Sequence, residues 1–188
     1  MPVATLLLVD FQSGFDAPDW GARNNPRAEA NAAALLARWR DDRAPRVHVR
    51  HVSRTPGSPL SHAAGGVAFK PGLRPAPGEP VIEKTVNAAF IGTSLAEDLA
   101  ADGCEALVIC GLTTPHCVST TVRMAANLGF AVTLAHDACA AFATNADTGW
   151  SDDPAPPDPQ AVHAAAVSHL HGEFCTARAT DAILAARP

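Results

Sequence analysis

Short apolar runs alternate with longer amphipathic ones along this chain, and few folds accommodate that pattern. A strand buried inside a parallel sheet reads as an unbroken apolar run because helices cover both faces; a covering helix shows apolar residues at helical spacing. Residues 4–9, 105–111 (EALVICG) and 130–135 (FAVTLA) are runs of the first kind, 46–52 (RVHVRHV) alternates between faces, and a shorter strand is expected at 80–83. AEANAAALLARWRDD at 28–42 has helical spacing and is closed by Pro45. Ser94 followed by Glu97 has the spacing of a capping box and opens a helix ending near Gly103. A third helix is expected from about Pro115 to Leu128, stopped by Gly129, and two more at 159–171 and 179–186. Such βαβ alternation implies an α/β fold of βαβ units around a mainly parallel sheet. The length of 188 residues suits one domain over 1–188.

Charge and cysteine usage narrow the function classes. The net charge is −5 and Lys and Arg do not cluster, so nucleic acid is not an expected partner. The apolar run at 3–9 is too short to span a bilayer and has no basic flank or cleavage site, so no membrane association and a cytoplasmic location are expected. The five cysteines include no C-x-x-C pair, which argues against a disulfide framework or a zinc site. Cys104, Cys110, Cys139 and Cys175 lie among apolar or small neighbours and read as buried small hydrophobes. Two stretches, 53–79 and 144–158, are loop-like, and loops of that length commonly border a pocket.

Ligands of an open parallel sheet bind at the carboxyl ends of its strands. There the first strand ends in Asp10, the short strand at 80–83 runs into Lys84, and the strand at 105–111 leads through GLTTPHC to Cys117. With Thr113 or Thr114 as cap and Pro115 in the first turn, Cys117 falls at the positive end of a helix, a position that favours thiolate and offers backbone N–H groups to an oxyanion. Alone, Asp10 could cap a loop, Lys84 could be a solvated charge and Cys117 could be packing. Together they form a proton-transfer unit, with the carboxylate as base and the ammonium holding it ionised.

The histidines do not make a metal site by spacing. His48 and His51 point to opposite faces of a strand, His62 lies in the following loop, and structural or solvated roles are expected for all three. The same holds for His169 and His171, whereas His116, beside Cys117, reads as a substrate contact. Phe15, Trp20, Asn87, Phe90 and Phe142 flank the same motifs and are further candidates to shape a substrate pocket.

The segments LLLVDFQSGF (6–15), EKTVNAAFIGTSL (83–95), LVICGLTTPHCVSTTVRMAANLGF (107–130) and VTLAHDACAAF (132–142) resemble the isochorismatase-like cysteine hydrolase superfamily, in order and across essentially the whole chain. The resemblance implies an α/β fold with a doubly wound, mainly parallel sheet of about six strands and helices on both faces, a catalytic triad of Asp10, Lys84 and Cys117, a cis peptide before Thr113, and an oxyanion hole from the backbone N–H groups of Thr113 and Cys117. It also implies a homo-oligomer, dimer or tetramer, since related folds commonly dimerise. Nicotinamidase-like members bind a metal through an aspartate and two histidines after the second strand; HVRHVSRTPGSPLSH offers no such aspartate, so neither metal nor cofactor is expected. The expected activity is that of a cysteine hydrolase cleaving the C–N bond of a small amide, ureido or lactam-like molecule through a thioester. The alternatives are vinyl-ether hydrolysis of the isochorismate type and a catalytically silent binding or assembly protein.

Overall fold

In a computed structural model, which describes residues 3–152 and 155–186, all five residues of β1 (Thr5–Val9) are buried. Each buried Leu or Val contributes about 1.5–3 kcal/mol, and the continuous core around this strand runs from Leu6 to Ile183. β1 lies between β2 (Arg46–His51) and β4 (Ala106–Leu112), and the full order is β3-β2-β1-β4-β5-β6 with every pairing parallel. β3 is Val81–Lys84, β5 Ala131–Ala140 and β6 Thr176–Arg178. The chain winds outward from β1 to β3, returns, and winds the other way from β4 to β6. The order therefore reverses between β1 and β4, where a crevice opens at the strands' carboxyl ends.

The expected helices are present as α1 (Ala28–Asp41), α2 (Leu95–Ala101), α3 (Ser119–Asn127), α4 (Pro159–Ser168) and α5 (Thr180–Ala185). The capping box at Ser94 does not form: its hydroxyl donates to Asp98 Oδ2 at 2.7 Å, one turn on, instead of serving the backbone. β5 continues five residues past the apolar run. The polar His136 and Asp137 interrupt that run, but Asp137 is satisfied by the Thr180 backbone N–H and hydroxyl, at 2.8 and 2.7 Å. β6, only three residues long and at the sheet edge, has no apolar run to announce it. No helix among the described residues is long and apolar enough to cross a membrane.

Candidate active site

Asp10 sits where β1 ends, with φ of 56°, a left-handed conformation that Asp tolerates better than most residues. Its N–H donates to Val49 at 2.9 Å, and its side chain is fully buried. Lys84 Nζ donates to Asp10 Oδ2 at 2.6 Å, while Asp10 Oδ1 is buried and has no hydrogen-bond partner among the described residues. Burial raises the pKa of this carboxyl above its ordinary value, and the Lys84 charge opposes that rise.

Lys84 closes β3, two strands away from β1, so its side chain must cross the end of β2 to reach Asp10. The β2 residue in register with Lys84 is His51. Its Nδ1 lies 3.3 Å from Lys84 Nζ. Gln12, two residues after Asp10 and fully buried, spends its amide on the His51 backbone: Oε1 accepts from N–H at 2.7 Å and Nε2 donates to the carbonyl at 2.9 Å.

Cys117 arrives on the other side of the crevice. The Leu112–Thr113 peptide is cis, as the resemblance implies, and Thr114–Val118 forms a π-helical turn before α3. Neither threonine caps the turn through its side chain as expected; Thr114 Oγ1 instead pairs with His163 Nδ1 at 2.9 Å. Gly111 makes this arrangement possible, because a Cβ there would come 2.2 Å from the Val9 carbonyl oxygen. Cys117 retains 8% exposure, and its thiol donates to Asn87 Oδ1 at 3.8 Å. Burial, reinforced by the Asp10 carboxylate and only partly offset by Lys84, pushes the thiol up to about 12. At neutral pH Cys117 rests as the thiol.

A cavity of about 170 Å³ opens over the sulfur. Phe15, Trp20, Asn87 and His116 line it as expected, with Thr113, His51 and, from the first loop, Ser53, Ser58 and Leu60. Phe142 stands behind the wall, its ring centroid 5.8 Å from those of both Phe15 and Trp20. Phe90 is a correction: it stacks on Phe130 at 6.0 Å and does not line the cavity, because the chain turns away after Asn87. The second loop contributes no lining residue among those described; its Thr144 hydroxyl reaches the Trp20 carbonyl at 3.2 Å. The first loop is tied down by Lys70, which pairs with Asp16 and, at 3.2 Å, with Glu29.

The isochorismatase domain profile matches residues 4–152. This chain belongs to the isochorismatase family. It is 41% identical over 95% of its length to the uncharacterized isochorismatase family protein YrdC of Bacillus subtilis, covering 93% of that protein. It is 33% identical to streptothricin hydrolase of Streptomyces noursei, over 92% of this chain and 59% of that one. Maleamate amidohydrolase of Pseudomonas putida matches 66% of each chain at 31% identity. A crystal structure from Chromobacterium violaceum, described as of the isochorismatase family, superimposes with a TM-score of 0.91 at 44% identity, covering 97% of this chain and 92% of that one. The protein is thus a hydrolase of this family with its α/β fold.

In this isochorismatase-family site, Asp10, His51 and Cys117 offer ligand atoms within 4.8 Å of one another. Those donor types could hold a metal ion, but Lys84 already places an ammonium 2.6 Å from the only carboxylate, so the set fits an ion pair better. Strand alternation assigns His51 a structural or solvated role; it lines the cavity instead, because it ends β2 on the same rim as the other strand ends. That position is the signal in the sequence that could have found it. Gln12 and His163 carry no such signal, since their partners, 39 and 49 residues away, leave no local mark. His48 does prove structural, fully buried against Glu79.

Proposed function

We propose that this isochorismatase-family hydrolase cleaves the C–N bond of a small amide, ureido or lactam-like compound through a thioester on Cys117. One observation carries the reading: a buried Asp10–Lys84 ion pair with one carboxylate oxygen uncommitted, close to a sulfur that opens into a cavity. A thiol held near 12 needs a base in the chemical step itself, and a carboxylate whose own constant is raised by burial is a better base than a solvated one. Asp10 takes the thiol proton as sulfur attacks the carbonyl carbon. The developing oxyanion is held by the Thr113 and Cys117 N–H groups. Asp10 then protonates the leaving nitrogen, the C–N bond breaks and the amine departs. Water, deprotonated by Asp10, attacks the thioester; the C–S bond breaks, sulfur recovers its proton and the acid leaves. Lys84 holds the Asp10 carboxyl in place through both halves and favours its ionised form between proton transfers. The relatives named for hydrolysis of streptothricin and of maleamate support this reading.

The test is a panel of small amides, ureas and lactams scored for ammonia or amine release, with intact-mass detection of an acyl adduct. Cys117→Ala is expected to lose turnover and adduct together. Turnover unchanged in that variant would end the thioester scheme.

A further inference from the structure

His51 and His116 are titratable groups at the cavity to which the proposed mechanism gives no task, and His51 is the one that meets Lys84. The aliphatic stem of Lys84 crosses the end of β2 where His51 stands, in register with it. The ammonium has three protons to place in a site that is fully buried. One goes to Asp10 Oδ2 at 2.6 Å, and the Lys84 charge also favours a negative Cys117 sulfur. His51 Nδ1, at 3.3 Å, is the remaining acceptor, and it can accept only while its lone pair is free. The surroundings keep it so: burial and then the adjacent Lys84 charge lower the imidazole below its ordinary value. Gln12 holds the backbone on both sides of the ring by two hydrogen bonds, so the imidazole is placed by a buried amide rather than by a mobile loop.

We infer that His51 is a positioning residue which, as a neutral Nδ1 acceptor, completes the shell of the Lys84 ammonium and so holds it between Asp10 and Cys117. The inference rests on the reading of Lys84 and Cys117 as catalytic. Without the acceptor a buried N–H is left unpaired, the ammonium is less favoured, and support for a negative sulfur falls.

The test needs no substrate: carboxamidomethylation of Cys117 by iodoacetamide, followed by peptide mass spectrometry at pH 7.5, with circular dichroism melts as a check on folding. Asn places its carbonyl oxygen where Nδ1 stands; Gln places its own nearer Nε2. His51→Asn is therefore expected to react within about twofold of the wild type, and His51→Gln and His51→Leu about tenfold more slowly, the equivalent of one unit in the thiol constant. Equal rates in all variants, or an equal loss in Asn and Gln, would overturn the inference. Should the Leu variant fail to fold, the contrast between Asn and Gln decides. A protein that kept this contrast but hydrolysed nothing in the amide panel would refute the proposed reaction alone; turnover of an amide without the contrast would refute only the role of His51.

Discussion

Two buried carboxylates stand at opposite ends of the same sheet, and they are treated in opposite ways. Glu79, just before β3, accepts from Arg40 Nε and Nη2 at 2.8 Å each, Arg46 Nε at 2.7 Å, His48 Nε2 at 2.8 Å and the Ala76 N–H at 2.9 Å. Its constant is held far below the ordinary carboxylate range, first by the Arg40 guanidinium. Asp10, at the carboxyl rim, has one cationic partner and an oxygen with none, and its constant is raised by burial. A saturated carboxylate is inert and structural; a half-satisfied one keeps a lone pair for a proton. The fold builds both from the same chemistry by varying only how many donors converge.

The largest effect expected from this contrast is on turnover. Asp10→Asn should lower kcat/KM at least about a thousandfold, because the base is gone, whereas Glu79→Gln should leave kcat/KM of the folded protein within about twofold. Steady-state kinetics on the best amide of the panel would break the comparison if Asp10→Asn stayed active. On stability the order reverses. Removing the charge of Glu79 strands Arg40, Arg46 and His48, at a cost of about 3 kcal/mol, which for a chain of this size lowers Tm by roughly 6–12 °C; a calorimetric scan checks it.

The pH dependence should separate the two next. A depressed constant contributes stability that is present above the unfolded carboxylate value and is lost as pH falls through the folded one, so the wild type should lose its advantage over Glu79→Gln in acid. A raised constant contributes stability that is present at low pH and is lost as pH rises, so the wild type should weaken relative to Asp10→Asn from acid towards neutrality. Urea titrations at several pH values would show slopes of opposite sign; slopes of the same sign would remove the distinction. The smallest effect belongs to His48→Gln, which takes one donor of several from Glu79 and should cost about 1 kcal/mol in the same titration. A much larger loss would mean that Glu79 is less saturated than its geometry implies.

How far the site is legible in the sequence depends on where its residues sit. Asp10, Lys84 and Cys117 stand out because each ends a strand or follows one, and strand ends of a parallel sheet meet at one rim. His51 meets the same criterion, but strand alternation says only which face a side chain takes and nothing about what crosses its end. The pull towards thiolate read for Cys117 rests on the local helix dipole. In the folded protein the first turn is π-helical and the sulfur is buried beside a carboxylate, and burial outweighs a dipole. Phe90 lies next to the right motif yet packs on Phe130, since adjacency in sequence does not choose a face after a turn.

Five of the six strands, the helices between them and the three chemical groups of the centre were written in the sequence, because periodicity and chain order act over a few residues and the rules of parallel sheets extend them. Tertiary structure alone decided how many donors reach Asp10 and Glu79, that Lys84 passes His51, and that Gln12 and His163 hold the two sides of the crevice. Those outcomes depend on burial and on contacts between segments tens of residues apart, and free energies of that kind are set only once the chain has closed on itself.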